Sequence, residues 1–195
     1  MQRGVNKSLC FANDADRGLY LAMLEEVASR VPCAVHAYVL MSNHVHLLVS
    51  PIEAVGPSLL MKNLGQRYVQ AFNRRHARTG TLWEGRFRSC VVDSEDYLFR
   101  CYQYVEMNPV RAGMVSNPRE YSWSSYRANA EGEGSRLLTP HSLYLSLGAD
   151  ANHRSARYRD LFLDELSAED LARIREATHR GGSLGSRDKK TTKPS

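Results

Sequence analysis

The chain has 195 residues, of which 43% are hydrophobic and 24% are charged, and its formal net charge is +5. This composition is typical of a soluble globular protein with one sizeable core. No apolar run approaches the roughly 20 residues that span a bilayer, and the first residues lack the apolar centre of a signal peptide. We therefore expect a cytoplasmic protein that does not enter a membrane.

The four cysteines, Cys10, Cys33, Cys90 and Cys101, lie far apart in the sequence and form no C-x-x-C pair. A zinc knuckle or a disulfide framework needs cysteines at closer and more regular spacing. The sequence therefore predicts reduced thiols, most of them buried.

The positive charge is concentrated in residues 62–111. This segment contains nine Lys or Arg against five Asp or Glu, so it carries +4 of the +5 net charge. A concentrated basic segment is typical of a protein with a polyanionic partner, although a solvated surface explains the same charge.

The first part of the chain predicts a helix, a hairpin and a second helix. Residues 13–32 carry apolar side chains at helical spacing, with Asn13 or Asp14 as the N-cap and Pro32 as the stop. Residues 33–41 and 44–49 predict two strands joined at Ser42 and Asn43. A second helix is expected over residues 57–76, with Arg67 and Arg74 on its outward face.

The next segment predicts one more strand and one more helix. Residues 86–93 alternate in the manner of a strand, and Asp93 or Ser94 can cap a helix that ends near Asn108, because Pro109 disfavours helical geometry in the residue before it. With one strand added at the front, the element order becomes that of a ferredoxin-like fold. Residues 3–11 are a poor candidate for that strand.

These patterns predict an α+β fold with a ferredoxin-like element order, an antiparallel sheet and helices on one face. One main domain is expected over residues 1–130, followed by a linker over 131–136. A helical C-terminal extension is expected over 137–180, and a disordered basic tail over 181–195.

The second strand of the hairpin carries two histidines. Because side chains alternate along a strand, His44, His46 and Leu48 share one face, and the two imidazoles lie about 7 Å apart along the strand. That spacing suits a single ion held between them. The pattern alone leaves open whether they are metal ligands or a hydrogen-bonded structural pair.

A second group of polar side chains lies on the helix that ends near Asn108. Tyr97, Cys101, Tyr104 and Asn108 recur at steps of four, three and four residues, so they share one helix face. A tyrosine and an amide on that face could meet the two histidines on the sheet. A tyrosine on an apolar helix face is also common as a core residue.

Three blocks, "AYVLMSNHVHLLVSP", "GTLWEGRFRS" and "YVEMNPVRAGMV" followed by "YSWSSY", resemble the REP-associated tyrosine transposases, a branch of the single-tyrosine HUH transposases. The resemblance covers about residues 10–130. It implies that residues 1–130 form a ferredoxin-like or RRM-like catalytic domain, here with a truncated first strand. Such a domain cuts and rejoins single-stranded, hairpin-forming DNA through a phosphotyrosine. It also implies Tyr104 as the nucleophile and His44, His46 and Asn108 as metal ligands.

The resemblance further implies Mg²⁺ or Mn²⁺ as the cofactor, whereas two imidazoles and an amide would by ligand preference alone favour zinc or another borderline metal. The expected partners are single-stranded DNA and DNA hairpins, with no small-molecule substrate. The sequence leaves the oligomeric state open.

Several basic and aromatic residues are candidates for contacts with DNA. Trp83, Arg86 and Arg88 could stack on extruded bases or pair with phosphates, although Trp83 beside a glycine turn is equally suited to packing. Arg111 could contact phosphate or cap its own helix. Arg67 and Arg74, on the outward face of the second helix, complete the predicted DNA-binding set.

Members of this family usually begin with a complete strand, and the sequence here starts at that strand's end, at Met1. A truncated or decaying copy is therefore one expectation. Two rival functions are a nucleic-acid-binding relative that has lost catalysis, and a metal-dependent phosphodiesterase that uses water and leaves Tyr104 as a core residue.

Overall fold

The computed structural model describes residues 1–185. In chain order its strands and helices are β1 (Gln2–Arg3), α1 (Asp14–Ala28), β2 (Cys33–Met41), β3 (His44–Pro51), α2 (Gly56–Arg75), β4 (Val91–Val92), α3 (Glu95–Glu106), α4 (Asn108–Arg111), α5 (Tyr126–Glu131), α6 (Ser142–Leu145), α7 (Ala151–Asp160), α8 (Ala168–Arg180) and β5 (Ser183–Leu184). The α+β class is confirmed.

The main sheet has three antiparallel strands in the order β1-β3-β2. The hairpin turns at Ser42 and Asn43, so that Met41 pairs with His44 and Val39 with His46, as expected from the sequence. β1 pairs with the start of β3, where Gln2 lies opposite Val45. The order in which β1 and β2 flank β3 is that of the split βαβ unit.

The helices α1 and α2 pack on one face of the sheet because Leu40 and Val45 point toward their apolar sides. The start of α1 is fixed by a capping box, in which Asn13 and Asp16 each accept a hydrogen bond from the other's backbone amide. The sheet therefore has the predicted helical layer on this face.

The expectation of helices on one face alone was wrong in one respect, because α3 packs on the opposite face. There Ala37, Val39 and Leu48 form a second apolar cluster with Leu98 and Val105 of α3. β2 and β3 are thus apolar on both faces, and burying both requires a layer of helices on each side. The histidine side chains lie on the face that α3 covers.

The predicted strand over residues 86–93 was largely wrong. Only Val91 and Val92 form a strand, and this strand pairs in parallel with β5, not with the main sheet. The preceding stretch runs beside residues 1–5 without forming a regular ladder: Gly4 and Trp83 form an isolated bridge, and Arg88 donates from its amide to the Met1 carbonyl. The turn at Gly85, whose φ is +69°, interrupts the alternation that a regular ladder needs.

The C-terminal helices pack against the predicted catalytic domain. Tyr144, Tyr158 and Ile174 belong to the same apolar cluster as α3 and β2. The tail was predicted to be disordered from residue 181, but Ser183 and Leu184 form β5; residues 186–195 lie outside the described part of the chain.

All four cysteines are free thiols, and Cys10, Cys33 and Cys101 are buried, as expected. Within residues 1–185, no helix is both long enough and apolar enough to cross a membrane.

Candidate active site

The two histidines of β3 lie side by side on the face that α3 covers. The ring centroids of His44 and His46 are 5.2 Å apart, and the ring planes are nearly perpendicular, at 83°. Both rings thus lie next to each other on one face of the strand, as the alternation along the strand predicts. His46 is buried and His44 is half-buried.

Both imidazoles are held in the neutral form. Burial lowers the pKa of His46 well below its usual range. Burial, followed by the charge of Arg3, lowers the pKa of His44 to about 4. A neutral imidazole keeps a lone pair on one ring nitrogen, which is the form that binds a metal ion.

Two asparagines contact His44. Its Nδ1 lies 2.7 Å from the Asn43 side-chain oxygen, which can only accept, so Nδ1 donates and Nε2 keeps the lone pair. The Asn108 side chain also lies close to the His44 ring, where it partly opposes the lowering of the His44 pKa. Asn108 begins α4, one turn beyond Tyr104, after α3 ends at Glu106.

Tyr104 lies against the histidine pair. The centroid of its ring is 5.5 Å from that of His46, and the ring planes meet at 79°. The Arg111 guanidinium lies 4.8 Å from the centroid of the Tyr104 ring and donates a hydrogen bond to the Tyr104 carbonyl. Arg111 therefore caps the end of α3, one of the two roles expected for it. Burial lowers the pKa of Arg111 to about 10, so the side chain remains cationic at neutral pH.

Tyr102 points away from this site. Its side chain is fully buried between Phe99 and Tyr158, with which its ring makes a stacked and an edge-to-face contact. Burial raises its pKa. Two positions apart on a helix differ by about 200°, and the structure places the two tyrosines on different faces accordingly.

The chemistry of three neighbouring side chains suits one divalent ion: the imidazoles of His44 and His46 on β3, and the Asn108 amide at the start of α4. Within the described residues no group of three or more His, Cys, Asp or Glu could hold a metal ion. Two histidines and an asparagine do not count as such a group, because asparagine is not one of those four residue types. The absence of such groups therefore does not argue against a metal ion at His44, His46 and Asn108.

The predicted DNA-binding residues do not all lie together. Trp83 is only 7% exposed and packs against Tyr20 and Tyr68, so its indole is a packing anchor between α1 and α2. Arg67 forms an ion pair with Glu26, and Arg74 is exposed on the same helix. Both arginines belong to the helical layer on the far face of the sheet.

Arg86 and Arg88 lie closer to the site. They border a small surface cavity together with Arg3, which pairs with His44 across the sheet. Arg88 also contacts His179 of α8. Sequence reasoning missed Arg3 and Asn43, although the register of β1 against the histidine strand could have pointed to Arg3.

The family model described as "Transposase IS200 like" matches residues 6–108. A solved structure described as the REP-associated tyrosine transposase bound to a REP hairpin is similar in fold, with a TM-score of 0.55 and 17% sequence identity. That match covers 72% of this chain and 82% of the other. A comparison with curated proteins found no match. The family match spans more than half of the sequence and contains His44, His46, Tyr104 and Asn108, and the chain belongs to the IS200-like transposase family.

Proposed function

We propose that this protein is a transposase of the REP-associated branch, which cleaves and rejoins single-stranded, hairpin-forming DNA through a covalent 5′-phosphotyrosine. The observation that carries the proposal is the meeting of Tyr104 with the histidine pair, since the Tyr104 ring lies 5.5 Å from that of His46. Of the two neighbouring tyrosines in α3, only Tyr104 adjoins groups that could hold a metal ion.

His44, His46 and Asn108 would hold Mg²⁺ or Mn²⁺. When bound, the ion would polarise the scissile phosphate and favour departure of the 3′ oxygen. Asn43 orients the His44 ring through its hydrogen bond, and burial keeps both imidazoles unprotonated. These contacts thus keep the two imidazoles in the neutral form that would bind the ion.

In the cleavage step the Tyr104 phenolic oxygen attacks phosphorus. A bond forms between that oxygen and the phosphate, the bond from phosphorus to the 3′ oxygen breaks, and the 3′ end leaves as a hydroxyl after taking up a proton. The phenol loses its own proton to solvent. The Arg111 guanidinium beside the ring favours the resulting phenolate by its charge.

The phosphotyrosine keeps the energy of the broken phosphodiester. A 3′-hydroxyl can therefore attack it, release Tyr104 and form a new phosphodiester without ATP. A site that served hydrolysis would need a positioned water and no tyrosine. The position of Tyr104 favours strand transfer over the metal-dependent phosphodiesterase.

The substrate we propose is a REP-like hairpin with a single-stranded flank, in the cytoplasm. The similar solved structure carries a REP hairpin, and the basic residues Arg3, Arg86 and Arg88 lie beside the strand that bears the histidines. These arginines could neutralise phosphates of a strand that enters the site. A binding protein without catalysis is the alternative, favoured by the contact of Tyr104 with the apolar cluster around α3.

One experiment separates the three functions. The protein is incubated with labelled hairpin DNA and Mn²⁺, and the products are resolved under denaturing conditions. A covalent protein–DNA adduct supports the transposase, cleavage without adduct supports the phosphodiesterase, and retention of the hairpin without cleavage supports the binding protein.

A further inference from the structure

Glu106, the last residue of α3, is a fully buried carboxyl. It accepts hydrogen bonds from the Ser125 hydroxyl at 2.5 Å, the Asn129 amide at 2.8 Å and the Tyr158 hydroxyl at 2.8 Å. The three donor residues are buried as well. These four side chains form a polar network inside the protein, called the Glu106 network below.

Stability alone does not account for a carboxyl at this position. The C-terminus of a helix carries the negative end of its dipole, where a carboxylate is disfavoured. Burial of an ionisable group also costs free energy, and apolar residues of similar volume are often as stabilising or more so. A carboxyl differs from them in direction, because it bonds to donors that lie at particular positions.

Two partners of Glu106 are joined to the backbone of β2. The Ser125 hydroxyl accepts a hydrogen bond from the Tyr38 amide at 2.9 Å, and the Ser125 amide donates to the Tyr38 carbonyl at 3.0 Å. The Asn129 side-chain amide donates to the His36 carbonyl at 3.2 Å. Glu106 therefore ties the end of α3 to β2 through two intermediates.

The anchored part of β2 lies beside the histidine strand. Val39, the residue after Tyr38, pairs with His46 of β3. At the other end of the connection, Glu106 lies in the last turn of α3, two residues after Tyr104. The Glu106 network thus joins the helix that carries the tyrosine to the strand pair that carries the histidines.

Glu106 does not itself face the candidate active site. Residues two positions apart on a helix differ by about 200°, so its side chain points away from the side on which Tyr104 meets the histidines. Its two oxygens are engaged by the donors of the network. Glu106 can therefore influence the site only through the position of α3.

We propose that Glu106 is a positioning residue for the reaction at Tyr104. The Glu106 network sets the rotation and the axial position of the last turn of α3, so that Tyr104 and Asn108 both face the histidine pair. This inference rests on the proposed function, because it takes Tyr104 as the nucleophile.

The network also gives a role to parts of the chain outside residues 6–108, which the family model matches. Ser125 belongs to the block "YSWSSY", Asn129 to α5 and Tyr158 to α7. The C-terminal part of the chain thereby contributes to the geometry of the site without touching it.

The first test measures the position of Tyr104 in the full chain, without DNA or metal. The ring centroids of Tyr104 and His46 are 5.5 Å apart, so protons of the two rings are close enough for a nuclear Overhauser effect in NMR spectra. In Glu106→Ala, buried donors lose their acceptor and the end of α3 has to move to let water reach them. The signal between the two rings should then be lost.

Glu106→Gln should keep this signal. Its amide oxygen can accept from Ser125 and Asn129, and its amide nitrogen can donate to the Tyr158 oxygen. The substitution removes the carboxyl but preserves the directions of the bonds.

The second test measures the rate constant of adduct formation with labelled hairpin DNA and Mn²⁺. In Glu106→Ala it should fall about a hundredfold at saturating hairpin, the cost of a misplacement of about 1 Å. The hairpin concentration that gives half the maximal rate should change by no more than a few-fold. Glu106→Gln should restore the rate to within a few-fold of the unmodified protein.

A double variant, Glu106→Leu with Tyr158→Phe, separates position from stability. Replacement of both partners of a hydrogen bond by apolar groups of similar shape can be nearly neutral for stability. Ser125 and Asn129 keep their bonds to β2, but α3 loses its polar tie to them. The double variant should fold and still form the adduct about tenfold more slowly or worse.

Asp16→Ala is the matched control. Asp16 is also a fully buried carboxyl, and it bonds to the Ala12 amide and the His76 ring within the helical layer on the other face of the sheet. Its loss should lower stability but leave the ring signal and the rate of the folded protein unchanged.

The proposal is overturned if Glu106→Ala keeps the ring signal, if Glu106→Gln behaves like Glu106→Ala, or if the double variant reacts at the normal rate. An equal loss of rate in Asp16→Ala would make Glu106 a structural residue only, and so would failure of both Glu106→Ala and the double variant to fold. If the unmodified protein forms no adduct, the proposed function fails, whereas the ring signal still tests the effect of Glu106 on Tyr104.

Discussion

Tyr104 and His46 lie against each other across the interface between α3 and the sheet, with their ring centroids 5.5 Å apart. Neighbouring Tyr102, only two residues earlier, is fully buried on another face of the same helix. The first prediction concerns this pair. Tyr104→Phe should fold, bind hairpin DNA and form no detectable adduct, because the attacking oxygen is gone.

Tyr102→Phe is the matched control and should still form the adduct. Its hydroxyl bonds to the backbone of His141, so its loss should cost about 1 kcal/mol of stability and leave the chemistry in place. Denaturing gels with labelled DNA and thermal unfolding measure the two effects. The opposite pattern, an adduct with Tyr104→Phe and none with Tyr102→Phe, would move the nucleophile to Tyr102.

The second prediction concerns the metal ligands. His44→Ala and His46→Ala should each abolish cleavage, because each removes one of three donors, while hairpin affinity changes by no more than a few-fold. A chelator should stop cleavage by the unmodified protein, and added Mn²⁺ should restore it. If both variants cleave normally in Mn²⁺, the ion is held elsewhere.

His141→Ala is a useful comparison for these variants. His141 packs edge-to-face on His36, with ring centroids 5.1 Å apart, and lies outside the predicted donor set. Its removal should leave Mn²⁺ affinity, measured by isothermal calorimetry, unchanged. A loss of affinity equal to that of His44→Ala would place His141 in the donor set.

The elements of this fold that the sequence predicted are those set by local periodicity. The helices α1, α2 and α3 follow apolar spacing and caps such as Asn13, and the shared face of His44 and His46 follows from alternation along a strand. The position of Tyr104 follows from the same reasoning, because its helical phase relative to Tyr97 and Cys101 within α3 is a local property.

What the sequence could not predict depends on contacts between distant residues. Residues 86–93 alternate as a strand does, but whether a ladder forms depends on partners about 90 positions away in the sequence, at Ser183 and Leu184. The burial of Trp83 likewise depends on Tyr20 and Tyr68 from two other helices. A local sequence pattern predicts the direction in which a side chain points, but not which distant residues it contacts.

The third prediction concerns Arg111, which stacks on the Tyr104 ring and bonds to the Tyr104 carbonyl. Arg111→Gln removes the positive charge next to the phenol. The rate of adduct formation should fall about tenfold, because the energy of one cation–π contact corresponds to a change of that size. Hairpin affinity should change by no more than a few-fold. Arg119→Gln, at an exposed position, is the charge-matched control and should cleave at the normal rate.

The fourth prediction concerns Glu106, a fully buried carboxyl between Tyr104 and Asn108 in the sequence. It accepts hydrogen bonds from Ser125, Asn129 and Tyr158, at 2.5, 2.8 and 2.8 Å. Glu106→Ala leaves these three donors buried without a partner and should lower the free energy of unfolding by about 3 kcal/mol. Chemical denaturation measures the loss.

Glu106 should also make stability depend on pH. Burial raises its pKa from 4.5 to about 7, so between these values the folded state holds a proton that the unfolded state releases. The contribution of Glu106 to the free energy of unfolding should therefore be greatest below about pH 4.5. It should be lost as pH rises through 7. In Glu106→Gln that slope should vanish, and an unchanged slope would assign it to another group.

The fifth prediction concerns the binding of DNA. Hairpin affinity should fall steeply with salt, because bound Lys and Arg release counterions from phosphates. Plain duplex should bind more weakly than the hairpin at about 0.15 M salt.

Arg86→Gln should make the plot of log affinity against log salt concentration less steep, by the amount expected for the loss of about one phosphate contact. The reason is that Arg86 lies beside Arg3 near the histidine strand. Arg67→Gln should have a smaller effect, because Arg67 is paired with Glu26 on the far face of the sheet. Fluorescence anisotropy over a range of salt concentrations measures both slopes. Equal slopes for the two variants would mean that DNA also runs over α2, and equal affinity for duplex and hairpin would remove the preference for hairpins.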